Sequence, residues 1–122
     1  MEITAKEILV KARKKISKPE NWCQGVSARK KIRSVLYDYN DVFESCDAKD
    51  SEACQWCATG AIDSVTPIGL INQNRSEYLK AYRILFEHCA FTHVANFNDR
   101  GTTSHADILE AFDLAINAIG EF

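Results

Sequence analysis

The chain has 122 residues, 46% apolar and 26% charged, which is the balance of one soluble domain spanning 1–122 and leaves no room for two. It holds no apolar run of membrane-spanning length, which excludes a transmembrane helix. The net charge of −2 hides an asymmetry: residues 1–33 carry ten lysines and arginines against three acids, or +7, and 34–122 carry −9. That basic third is either a solvated face offsetting an acidic body or a footprint for an anion or nucleic acid. The acidic body, and a stretch offering few stacking partners beyond Trp22, Tyr37 and Tyr39, weigh against nucleic acid.

The first element is the clearest. Thr4-Ala5-Lys6-Glu7 reads as a capping box, and Ala5, Ile8, Leu9, Ala12 and Ile16 recur at helical spacing. Lys and Arg crowd its last turns, and Pro19 closes it. The opening residues lack the apolar region of an export signal, so a cytoplasmic location and reduced thiols at all five cysteines are expected.

Residues 20–27 read as a loop carrying Trp22 and Gly25. Residues 28–50 mix a β-leaning run (Ile32, Val35, Leu36, Tyr37) with a helical stripe (Ile32, Val35, Leu36, Tyr39, Phe43), so an irregular connection with room for two short strands is expected. A second helix is predicted over 50–65, with Asp50 or Ser51 as cap and a narrow stripe of Cys54, Cys57, Ala58, Ala61, Ile62 and Val65. Thr66-Pro67-Ile68-Gly69 ends it, and Ile68, Leu70 and Ile71 form either an interface or a packed loop. A third helix starts near Ser76, its buried stripe being Leu79, Tyr82, Leu85, Phe86 and Cys89. A short helix or turn over 90–99 turns Val94 and Phe97 inward. The last helix runs from Thr103 or Ser104 to Ile119 on a face of Ile108, Leu109, Phe112, Ala115, Ile116 and Ile119, with Gly120 suited to its C-terminal cap. Together these predict an all-α fold, a bundle of about four helices whose small-residue second helix packs centrally against the first and last.

Few residues point to chemistry. Cys54-x-x-Cys57 lacks the second ligand pair that structural zinc requires and the βαβ setting of a thioredoxin site, so both cysteines read as core residues and no metal or cofactor is expected. Cys23 or Cys57 with His105 and Asp99 spells a nucleophile set of low specificity. The stretch "NDRGTTSH" (98–105) is richer. Gly101 suits a turn at positive φ, Thr103 or Ser104 can cap the last helix, Asp107 completes a capping-box spacing, and Asn98 or Asp99 suits an Asx turn. A helix start beside Arg100 is also a setting for an anion. Turn and cap leave Asn98, Asp99, Arg100 and His105 unexplained, and Trp22 beside Gln24 and Gly25 is placed to line a pocket rim.

Three stretches stand in order: "NWCQG" (21–25), "WCATGAI" (56–62) and "NFNDRGTTSHADILEAFDLAI" (96–116). They resemble a family of small uncharacterised bacterial and phage proteins, a domain of unknown function, with W-C-Q-G, W-C-A-x-G-A-[IL] and N-D-x-x-G-[RT]-T-H-x-[DE]-[VI]-L signatures. The chain departs from that pattern in three ways. The stretch around 31–52 is longer, no Arg stands near 102, and His105 falls one place late. The resemblance marks Trp22, Gln24, Gly25, Cys57, Gly60, Asn98, Asp99, Gly101, Thr103 and His105 as positions, and implies no activity.

The expected function is that of a non-enzymatic binding or accessory protein of phage or bacterial kind. It would hold a small anionic, nucleotide-like ligand through Trp22, Gln24, Asn98, Asp99, Arg100, Thr103 and His105, or block a host protein. The alternatives are a small hydrolase or transferase using Asp99, His105 and Cys57, and nucleic-acid binding through the basic third.

Overall fold

A computed structural model describes residues 3–32, 42–89 and 93–119. The chain forms helix α1 (Ala5–Lys15), a 3-10 turn (Pro19–Asn21) and strands β1 (Ala28–Ile32), β2 (Val42–Cys46) and β3 (Ala53–Trp56). Helices α2 (Ala58–Val65), α3 (Ile68–Asn72), α4 (Ser76–Glu87), α5 (Val94–Asp99) and α6 (His105–Ile119) follow. The all-α expectation is therefore overturned: the fold is α+β, with a three-stranded antiparallel sheet in the order β2-β1-β3.

The sheet explains where the helical reading of 50–65 failed. Cys54, Cys57 and Ala58 share helical spacing, but aspartate turns intervene. Lys49 N–H donates to Asp47 Oδ1 (2.8 Å) and Glu52 N–H to Asp50 Oδ1 (2.9 Å), offering the backbone partners outside a helix. The chain then pairs with β1, Arg29 facing Gln55 and Ala28 facing Trp56. The helix begins only at Ala58, with Cys57 as its N-cap, so Cys54 lies on a strand and not on a helical stripe. The two short strands allowed in the 28–50 stretch are present as β1 and β2, registered from Ala28↔Cys46 to Ile32↔Val42. Val35, Leu36, Tyr37 and Tyr39, like Gly120, lie outside the described residues.

The central helix is α1 rather than α2. Its capping box is formed, Glu7 N–H donating to Thr4 Oγ1 and Thr4 N–H to Glu7 Oε1. Its stripe of Ala5, Ile8, Leu9 and Ala12, continued by Ile16, is fully buried and packs on α2, α4 and α6. Each large apolar side chain so buried contributes about 1.5–3 kcal/mol. Phe112 and Ile108 of α6, Ile62 of α2 and Leu85 of α4 complete the core. Of the stripe expected from Ser76 onward, Leu85 and Cys89 are buried and Tyr82 and Phe86 pack against the core; Leu79 is exposed, and Tyr78, Ala81 and Ile84 complete the inward face instead. Ile68 is exposed and Leu70 buried, so the 68–71 stretch is a packed helix with one apolar residue outward. Among the described residues, no helix is long and apolar enough to cross a membrane.

The basic third is split between two elements. Arg13 on α1 grips Asp113 on α6 through two nitrogen–oxygen contacts. Lys30 on β1 lies 3.3 Å from Glu44 and 3.9 Å from both Asp50 and Glu52.

Candidate functional site

The three sequence motifs meet at one joint. The buried side chain of Asn98, near the end of α5, forms its centre. Asn98 Oδ1 accepts from the Trp22 indole N–H (2.7 Å) and from the backbone N–H of Ala58 (3.0 Å). Asn98 Nδ2 donates to the Cys23 carbonyl (3.0 Å) and to Asp99 Oδ1 (2.9 Å). All four hydrogen-bonding positions of the amide are thereby used. A buried amide with fewer partners would carry a desolvation cost of about 1–3 kcal/mol for each orphaned group.

The neighbouring residues lock the loop over 22–27 against the end of α5. Gln24 Nε2 donates to the carbonyls of Asn98 (2.8 Å) and Arg100 (3.2 Å). Gly25 N–H donates to Asp99 Oδ1 at 2.8 Å. Gly25 holds a φ of 85°, which a residue with a Cβ rarely adopts. Asp99 therefore reaches across to a distant loop rather than closing a local Asx turn. From the other side, Cys57 N–H donates to the Ser27 carbonyl at 3.1 Å. Gly60 then brings α2 so close that an added Cβ would fall 1.8 Å from the Ser27 carbonyl oxygen. Cys57 Sγ accepts from Gly60 N–H (3.3 Å), so its sulfur serves as a helix cap. Burial pushes the Cys23 thiol up to about 12, with the neighbouring Cys57 adding to the effect.

The "NDRGTTSH" stretch divides between turn and cap. Thr103 N–H donates to the Arg100 carbonyl (3.0 Å), closing a turn, and Thr103 itself is buried. Gly101 does not supply a positive φ; among the described glycines that conformation belongs to Gly25. Ser104 caps α6: Asp107 N–H donates to Ser104 Oγ (3.1 Å) and Ser104 N–H to Asp107 Oδ2 (2.9 Å). His105 donates from Nε2 to the Ile16 carbonyl (2.6 Å), tying the start of α6 to the end of α1, and its ring lies 5.7 Å from that of Trp22.

Of the seven expected site residues, Asn98 and Thr103 are buried, Trp22, Gln24 and His105 are half-buried, and Asp99 and Arg100 are exposed. Arg100 differs from the rest. Its guanidinium stands 5.8 Å over the Phe97 ring, and among the described residues no carboxylate pairs with it. Sequence reasoning missed Arg29, whose Nη2 donates to the Gln24 carbonyl at 3.0 Å and braces the same loop. Its place in the basic first third, four positions past the "NWCQG" stretch, was the signal available. No group of three or more metal-ligating side chains converges among the described residues.

No curated protein and no solved structure matches the chain. A model of a family of unknown function (DUF6197) matches residues 1–118, and the chain belongs to that family.

Proposed function

We propose that this is a non-enzymatic binding protein, an accessory of bacterial or phage kind, that engages a small anionic, nucleotide-like ligand through Arg100 at the rim of the Asn98 joint. One observation carries the reading: the polar groups of the joint are engaged with one another, while Arg100 stands exposed with an aromatic face beneath it and no carboxylate partner among the described residues. A planar guanidinium held on a rigid support is suited to bidentate capture of phosphate or carboxylate oxygens. The joint supplies the rigidity, since both chain segments flanking Arg100 are fixed by hydrogen bonds to its carbonyl and to Asn98.

The hydrolase or transferase alternative draws less support. Asp99 Oδ1 is engaged by two donors, His105 Nε2 by the Ile16 carbonyl, and the Cys57 sulfur by the Gly60 N–H. Each group has a structural task that competes with a reacting one.

The test is a thermal-shift screen of nucleotides and cyclic nucleotides against the full chain and the Arg100→Ala variant. A stabilising shift with at least one nucleotide, lost in Arg100→Ala, is the expected result. Absence of any shift at millimolar concentration, or an equal shift in the variant, refutes the reading.

A further inference from the structure

Trp56 also floors a separate concavity, a cleft of about 440 Å³ lined in part by Lys15, Lys49, Asp50, Ser51 and Ser64. Its volume falls in the range of small-molecule sites, roughly 300–1,000 Å³. Lys15 comes from the last turn of α1, Lys49 and Ser51 from the turn before β3, and Ser64 from α2, so the cleft is built where three elements meet.

Its charge is unbalanced. Lys15 Nζ lies 4.2 Å from the centroid of the Trp56 ring. Burial first, and the Lys49 charge second, hold the Lys15 ammonium below the usual lysine range. Lys49 Nζ donates to the Thr66 carbonyl, which leaves two of its three N–H groups for another partner. Among the described residues neither lysine is ion-paired. Asp50, the carboxylate of the cleft, is drawn elsewhere: Oδ2 lies 3.9 Å from Lys30 and Oδ1 accepts the Glu52 N–H. The Lys15 ammonium stands over the Trp56 ring, and its repulsion from the Lys49 charge is relieved when an anion neutralises the two.

We propose that the cleft over Trp56 binds a phosphate-bearing ligand, with Lys15 and Lys49 on the phosphate oxygens and the Ser51 hydroxyl beside them; the Ser64 hydroxyl is held by the Ala61 carbonyl and only lines the wall. A phosphate group matches two ammonium groups in charge and presents several acceptors to their donors. The volume leaves space for an organic group beyond the phosphate. The inference is independent of Arg100, which does not line this cleft.

The test is a titration of the ¹⁵N-labelled full chain with inorganic pyrophosphate at constant ionic strength. It is read at the indole N–H signals of the two tryptophans, which Trp22→Phe assigns. The expected result is a saturable displacement of the Trp56 signal, weakened about tenfold or more in Lys15→Met and in Lys49→Gln and unchanged in Arg100→Ala. Lys49→Gln keeps a donor for the Thr66 carbonyl, and a dispersed spectrum confirms that each variant is folded. No displacement at millimolar pyrophosphate, a displacement that persists undiminished in the folded lysine variants, or one abolished in Arg100→Ala overturns the proposal.

Discussion

The Trp22 indole N–H and the Asn98 side-chain oxygen meet at 2.7 Å although 76 positions separate them in the chain. The same oxygen accepts the Ala58 N–H, so one amide fastens the first loop, the start of α2 and the end of α5. Replacing Asn98 by Ala leaves the indole N–H, the Ala58 N–H and the Cys23 carbonyl without their partner. A loss of roughly 3 kcal/mol or more is expected, read from urea unfolding of the variant beside the parent chain. A loss below about 1 kcal/mol would mean that the amide is not the fastener described.

Gly60 and Gly69 make a matched pair. A Cβ at Gly60 would overlap the Ser27 carbonyl, whereas one at Gly69 meets nothing within 4 Å. Gly60→Ala must push the loop off α2 and is expected to cost about 2–4 kcal/mol, enough to lower the melting temperature by many degrees. Gly69→Ala, on the short helix α3, is expected to be neutral or stabilising by up to about 1 kcal/mol. Melting curves of the two variants decide it.

The five cysteines divide by burial. Cys23, Cys57 and Cys89 are buried and Cys46 and Cys54 are half-buried. A thiol reagent at mildly alkaline pH is expected to modify Cys46 and Cys54 in the native protein, and the other three only after denaturant is added. Mass mapping of the labelled peptides checks the assignment, and rapid labelling of Cys57 in the folded chain would speak for a reactive role.

Stability is expected to fall at high pH. Burial pushes the Cys89 thiol up to about 11 from 9.0, and the Cys23 thiol up to about 12. Burial and the Asp63 carboxylate raise Tyr78 to about 12 from 10.0, and Tyr82 is raised in the same way. A folded-state value above the unfolded one means that the native chain keeps protons the unfolded chain has released. The stabilisation is therefore complete below about pH 9 and is lost as the pH climbs through 11 to 12. Urea midpoints measured from pH 8 upward are expected to decline over that window, and a flat profile would contradict the burial of these groups.

The helical ends were readable because their signals are local. The Thr4–Glu7 and Ser104–Asp107 boxes, the stripe of α1 and the core face of α6 all lie within a few residues of the chain. Two short strands were allowed within 28–50 but not placed, and β3 was read as helix, because β1 carries Arg29, Lys30 and Lys31 in a row and shows no apolar alternation. The pairing that stabilises it comes from distant segments. Cys54 and Cys57 fit a helical stripe by spacing alone, and only the Asp47 and Asp50 turns with the β1 pairing decide against it. At the joint, the residue types were visible and their tasks were not. Asn98 and His105 looked like leftovers of a turn and a cap, since their partners are an indole 76 positions away and a backbone carbonyl 89 positions away. The Lys15–Lys49 cleft left no trace in the sequence because no periodicity links those two residues.

The signature residues hold a joint together through the hydrogen bonds of Asn98. A double-mutant cycle in urea unfolding on Trp22→Phe and Asn98→Ala tests it most directly. The two losses are expected to be strongly non-additive, with a coupling of about 1–2 kcal/mol, because both substitutions remove one shared buried hydrogen bond. Losses that add within about 0.5 kcal/mol would contradict it, since the two side chains would then act independently.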